Sequence, residues 1–385
     1  MKRVPSLLLL SVLFGLTACS NPEPSASSSE PVSPSSSESM KTTKIDVIDV
    51  TNEEHVRPLG RCLAEPNGLY FAYSEAGFAL EVENGNEEFA LTLSFTSQIA
   101  SPYENQFINV YLDDAFVEKK ELGKGAQNIE IALSAPQGRH RIEVKKANEG
   151  QFSSLLLKSI TVRDAEAHLI ESPRKKRIEF FGDSITCGYG VLAESNRETF
   201  SMATEDSRYT YAAIAADEIG YEASLVSYSG IAIAVSPFVS NGFSMMDVYD
   251  TVDGTKKYDI AAHPSDLFVI NLGTNDNTKY NTLMTTEEKE NAKALFVEHY
   301  IALIRAMLAT NPKAPVVICY NMMTSLNRDL VYGIDAVWRD INADYPGQIS
   351  ALAFDGDNLG ADGHPGKVAH QENGERLAEH LKTIL

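Results

Sequence analysis

The sequence predicts an all-β sandwich or jelly roll over residues 45–172, followed by a three-layer α/β/α region over 173–385. Two observations carry this. In the first stretch apolar residues recur with period two, as antiparallel strands with one buried face require. In the second, near-continuous apolar runs alternate with helical segments, which implies a parallel sheet covered on both faces.

The elements follow in chain order. Lys2 and Arg3 precede an apolar run, Leu7 to Leu16, that is too short to span a bilayer comfortably. It ends in Leu16-Thr17-Ala18-Cys19, which resembles a bacterial lipobox. Residues 1–19 therefore read as a lipoprotein signal peptide, with Cys19 the residue that takes the lipid. This places the rest of the chain outside the cytoplasm, tethered to a bacterial membrane at the cell surface. Residues 20–44 are dominated by Ser, Pro and Glu and bury too little apolar surface to offset chain entropy, so they are expected to form a disordered stalk. A formal charge of −20 argues against nucleic acid or an anionic surface as partner. Of four cysteines, Cys62, Cys187 and Cys319 remain beside Cys19, which is no basis for a disulfide framework. Neither CxxC nor HExxH spacing occurs, and neither metal nor cofactor is expected.

Between 45 and 172 the alternating sets are Phe89, Leu91, Leu93 and Phe95; Ile108, Val110 and Leu112; Ile129, Ile131 and Leu133; and His140, Ile142 and Val144. Tyr70, Phe71, Tyr73 and Tyr103 could stack on sugars, but aromatics in strands are usually core, and a packing role is expected.

From 173 onwards, Arg177–Phe181 reads as a strand, Ser207–Ile219 as a helix, and Glu222–Tyr228 and Asp266–Leu272 as strands. Thr285 with Glu288 forms a capping box for a helix through Ala309. Further strands are expected at Ala314–Tyr320 and Gln348–Phe354, with helices at Arg328–Ala343 and Glu372–Leu385. Four short segments fall just after strands, where open α/β sheets bind ligands. They are Gly182-Asp183-Ser184, Ser229-Gly230, Gly273-Thr274-Asn275-Asp276 and Asp362-Gly363-His364-Pro365.

In their order and position these segments resemble the SGNH (GDSL-type) hydrolases. With the β region in front, the fuller Gly182–Gly190 stretch and the Gly-His-Pro ending, the chain looks like the carbohydrate esterases of family 2. The resemblance implies a flavodoxin-like hydrolase fold and removal of O-acetyl groups from xylan- or mannan-type polysaccharides through an acyl-serine intermediate. It implies Ser184 as nucleophile, and the Ser184 N–H, the Gly230 N–H and the Asn275 amide as oxyanion donors. His364, held between glycine and proline, would be the base. Many SGNH hydrolases place Asp three residues before this His, where this chain has Ala361. Either Asp362, two before, orients the imidazole, or a backbone carbonyl does. Position 363, which can carry a sugar-stacking aromatic in the family, is glycine. Ser236–Asp253, with Phe238, Phe243, Met245, Met246 and Tyr249, is expected to replace that wall or to pack as core. His370 and His380 are assigned to a helix surface. Two other substrate classes stay open, cell-wall O-acetyl groups and lipid or thioester acyl chains, as does a non-catalytic glycan-binding lipoprotein.

Overall fold

A computed structural model describes residues 42–45, 50–240 and 242–385. The expected signal peptide, Cys19 and most of the expected stalk lie outside them. The β region runs β1 (Thr42–Ile45), β2 (Arg57–Leu59), β3 (Cys62–Glu65), β4 (Gly68–Phe71), β5 (Gly77–Asn84) and β6 (Glu88–Ile99). It continues with β7 (Asn105–Leu112), β8 (Ala115–Gly123), β9 (Gly125–Ser134), β10 (Gly138–Lys146), β11 (Ser153–Arg163) and β12 (Ala165–His168). Strand β1 begins inside the stretch assigned to the stalk, because its backbone pairs antiparallel with the end of β11.

These strands form two antiparallel six-stranded sheets. One has the order β3-β4-β11-β6-β9 with β1 on β11; the other has β12-β5-β10-β7-β8 with β2 on β5. Leu91, Leu93 and Phe95 of the first sheet share a core with Leu80, Val110, Ile142 and Val144 of the second, so the period-two residues are the sandwich interior. Tyr70, Phe71 and Tyr73 are buried, in line with the packing role.

The α/β region supplies β13 (Arg177–Gly182), β14 (Glu222–Ser227), β15 (Leu267–Asn271), β16 (Val316–Tyr320) and β17 (Ile349–Ala353). All pair in parallel, in the order β14-β13-β15-β16-β17. The chain leaves β13 towards one edge and returns on its other side, so the C-terminal end of β13 is the switch point where a crevice opens. The helices are α1 (Ser184–Cys187), α2 (Tyr211–Glu218), α3 (Met245–Val248), α4 (Thr274–Tyr280), α5 (Thr286–Thr310), α6 (Arg328–Asp344) and α7 (Lys367–Ile384). Thr285 and Glu288 cap α5 reciprocally, as their spacing requires. The expected Ser207–Ile219 helix is divided: a 3₁₀ turn at Ser207–Tyr209 precedes α2, because Thr210 is extended and caps Ala213. Helix α7 begins at Lys367, ahead of the expected Glu372. The assignment of His370 to a helix surface is corrected: it is buried, and its Nδ1 accepts the Tyr211 N–H at 3.1 Å.

The two regions lie within one compact unit. Arg61 of the β region donates to Glu179 of β13 at 2.8 Å and to the Thr251 carbonyl at 2.8 Å. Asn109 donates to Asp206 at 2.8 Å, and Ser207 Oγ to Glu75 at 2.6 Å.

Candidate active site

Strand β13 ends at Gly182, and the chain turns at once into α1. A Cβ on Gly182 would lie 1.9 Å from Thr186 Oγ1, so the turn closes only around glycine. Asp183 is extended and caps α1, its carboxylate accepting the Ile185 N–H at 3.0 Å. Burial pushes the Asp183 carboxyl up to about 7. Ser184 is the first residue of the helix, mostly buried, at the crevice end of the sheet.

His364 follows the 3₁₀ turn Ala361–Gly363. That turn is bonded to the segment after Ser184: Ala361 N–H donates to the Gly190 carbonyl at 3.0 Å, and Asp362 N–H to the Glu198 carbonyl at 3.0 Å. Nε2 of His364 lies 2.9 Å from Ser184 Oγ, although the residues are 180 positions apart. Nδ1 lies 3.2 Å from the Ala361 carbonyl. A carbonyl only accepts, so this bond puts the proton on Nδ1 and leaves the Nε2 lone pair facing the serine hydroxyl. Burial holds the His364 pKa below the ordinary imidazole value, with Ala361 and Asp362 opposing.

Asp362 is not the acceptor of the imidazole proton. Its backbone is left-handed, φ 51°, and its carboxylate turns to the Tyr189 hydroxyl at 3.2 Å and the Phe200 N–H at 3.1 Å. The backbone carbonyl of Ala361 stands in that place. Asp362 instead fixes an aromatic wall: the Tyr189 ring lies 4.2 Å from the His364 ring and stacks on Phe200 at 3.9 Å. Tyr103, expected to pack, touches Phe200 and Phe152 at the edge of this wall.

Asn275 lies in the first turn of α4, after β15. Its Nδ2 donates to the Ile231 carbonyl at 2.7 Å and lies 3.4 Å from Asp183 Oδ2. Gly230 has φ 79°, and a Cβ there would meet Phe238 Cβ at 3.0 Å. Its loop is held on one side by Asp276, whose carboxylate accepts the N–H groups of Ile233, Ala234 and Val235 at 3.0, 2.9 and 3.2 Å. On the other side, Glu149 of the β region accepts the Ser229 N–H at 2.7 Å. The expected site thus places Ser184, His364, Gly230 and Asn275 around one strand end. Asp183, Asp276, Tyr189 and Glu149 are added to it. The Gly-Asp-Ser and Asn-Asp segments already contained the first two, whereas nothing in the sequence around Glu149 marks it.

A cleft of about 510 Å³ opens beside Gly230, lined by Gly150 and Gln151 of the β region and by Tyr228, Phe238, Phe243 and Asp253. The Ser236–Asp253 segment divides between the two roles expected of it. Phe238 is 65% exposed at the cleft, whereas Met245 is core. A Cβ on Gly363 would project into open space, at φ 77°.

Residues 180–371 match the GDSL-like lipase/acylhydrolase family. The chain is 27% identical over 332 residues to the cellulase/esterase CelE of Acetivibrio thermocellus, covering 84% of this chain and 38% of that protein. It is 22% identical to an acetylxylan esterase/glucomannan deacetylase of Cellvibrio japonicus, covering 100% of this chain and 99% of that one. Among solved structures, a family two carbohydrate esterase from Clostridium thermocellum in complex with cellohexaose superposes with TM-score 0.74 at 24% identity, over 85% of this chain and 98% of that one. An acetyl xylan esterase from the rumen bacterium Butyrivibrio proteoclasticus gives TM-score 0.75 at 20% identity, over 89% and 98%.

Proposed function

Residues 180–371 form a GDSL-like lipase/acylhydrolase domain, and from that premise we propose that the chain is a serine esterase removing O-acetyl groups from a polysaccharide. The observation that carries the reading is the 2.9 Å approach of His364 Nε2 to Ser184 Oγ, with Nδ1 on a carbonyl. The names of the relatives, acetylxylan esterase/glucomannan deacetylase among them, support the substrate class.

Ser184 Oγ attacks the acetyl carbonyl while His364 Nε2 takes its proton. The oxyanion that forms is received by the Ser184 and Gly230 N–H groups and by the second N–H of Asn275 Nδ2, the first staying on the Ile231 carbonyl. Collapse expels the sugar alkoxide, protonated by His364, and leaves acetyl-Ser184. Water activated by the same imidazole then releases acetate. In this reading the cleft beside Phe238 holds the sugar chain. Acetate release from acetylated xylan or glucomannan tests the proposal: wild type should release it and Ser184→Ala should not. Retained activity in that variant contradicts it.

The N-terminal motif supports a further part of the reading, a lipid on Cys19 that tethers the enzyme outside the cytoplasm. Among the described residues no helix is long and apolar enough to cross a membrane. Metabolic labelling with a radioactive fatty acid should mark the wild type and not Cys19→Ala; equal labelling of both contradicts the anchor.

A further inference from the structure

We propose that Glu149, from the β sandwich, is a positioning residue for the oxyanion hole, fixing the Gly230 N–H relative to Ser184; this rests on the esterase reading above.

Glu149 follows β10 and is completely buried. One carboxylate oxygen accepts the Ser229 N–H at 2.7 Å and the other accepts the Ser229 hydroxyl at 2.5 Å. Ser229 immediately precedes Gly230, so both bonds act one peptide from the oxyanion donor. The Cys187 sulfur lies within 4.8 Å of the same carboxylate. Cys187 closes α1, the helix that begins with Ser184. One side chain of the β region thus packs beside the nucleophile helix and bonds the oxyanion loop through Ser229.

The segment that carries Glu149 is itself held. Its own N–H donates to Glu205 Oε2 at 3.2 Å. Buried Lys146 donates to the carbonyls of Asn148 at 2.6 Å and Glu149 at 3.0 Å. Asn148 accepts the Phe107 N–H at 2.7 Å and donates to the Met202 carbonyl at 2.8 Å. Ligand atoms of Glu149, Cys187 and Glu205 lie within 4.8 Å of one another. Burial raises the carboxyl pKa values of Glu149 and Glu205 and lowers that of Lys146 to about 7. Donors on both oxygens of Glu149 favour its ionised form against that burial.

The other flank of the loop is fixed from within the α/β region, by Asp276 on the N–H groups of 233–235 and by Asn275 on the Ile231 carbonyl. Without Glu149 the loop keeps that anchor but loses the one beside Gly230. Displacing a catalytic group by ~1 Å can cost ~10²-fold, and removing one oxyanion donor costs ~10²–10³-fold in kcat. The binding cleft is built from other side chains, so the loss belongs in kcat rather than KM.

The test uses Glu149→Gln and Ser229→Ala in the full chain. Turnover of an aryl acetate is measured per active serine, counted by titration with an organophosphonate, and the melting temperature is recorded. Glu149→Gln is expected to lower kcat per site ~10- to 100-fold, with KM within ~3-fold. Ser229→Ala keeps its N–H bond, and a ~3- to 10-fold fall in kcat is expected, scaled from the same donor-loss range. A purely structural role would lower the melting temperature or the number of titratable sites and leave kcat per site unchanged, and that result overturns the proposal. If Glu149→Gln does not fold, Ser229→Ala decides alone, with unchanged kcat per site overturning it. A wild type without turnover overturns the esterase reading instead, so the two failures are distinguishable.

Discussion

At the scale of single residues, His364 is expected to set the pH response of the proposed esterase. Only its neutral form can take the Ser184 proton, so activity is present above its pKa and lost as pH falls through it. Because burial lowers that pKa, the acid limb of kcat/KM should lie below about pH 6.5, the ordinary imidazole value. The Asp362 charge raises it, so Asp362→Asn should move the limb to lower pH; a pH–rate profile shifted upward contradicts this assignment. Ser184, His364, Gly230 and Asn275 were legible because each follows a strand in a recognisable segment. The acceptor of the imidazole proton was not, since any residue has a carbonyl. What decides between Ala361 and Asp362 is the left-handed backbone at 362, which aims that carboxylate at Tyr189 and Phe200. Asp362 therefore shapes the wall against the imidazole and reaches the base only through its charge.

At the scale of elements, the two turns at the strand ends leave no room for a side chain. Gly182→Ala would force Cβ into the Thr186 hydroxyl, and Gly230→Ala would impose a left-handed backbone beside Phe238. The second change should lower kcat by at least ~10-fold, approaching the loss of one oxyanion donor, with modest effect on the melting temperature; steady-state kinetics with wild-type kcat contradicts it. The buried strands and the α5 cap were readable from composition and spacing. The break before α2 was not: Thr suits an N-cap in any context, but what sets Ser207–Tyr209 apart from α2 includes the bond of Ser207 to Glu75 of the β region, 132 residues away. The start of α7 was missed for a similar reason. His370 was assigned to a helix surface, yet it faces inward onto α2.

For the whole molecule, the β sandwich is bonded to the α/β region at several points. Arg61 reaches across to Glu179 and Thr251, with its guanidinium near the rings of Phe181 and Tyr258. Glu179→Ala would leave Arg61 buried without its carboxylate, a cost of about 3–5 kcal/mol seen when one partner of a buried pair is removed; a urea midpoint equal to wild type contradicts that. Contacts such as this one, and Glu149 on Ser229, join positions 118 and 80 residues apart, which no local pattern signals. Acid should weaken the fold as well. His370 is pushed down to about 3 by burial, so between about 6.5 and 3 the unfolded chain binds a proton that the folded chain refuses. Stability from this group is present above that window and lost as pH falls through it, by up to ~1.4 kcal/mol per pH unit. His370→Asn, which keeps an acceptor for Tyr211, should lose less stability than wild type between pH 7 and 5 in urea titrations; parallel losses contradict this. In the proposed reaction Ser184, activated by His364, carries the acyl group. Acid quench of the enzyme during aryl-acetate turnover, followed by peptide mass spectrometry, should find an acetyl group on Ser184 in wild type and none in His364→Ala, whereas full turnover with the acetyl on another residue would contradict the acyl-serine mechanism.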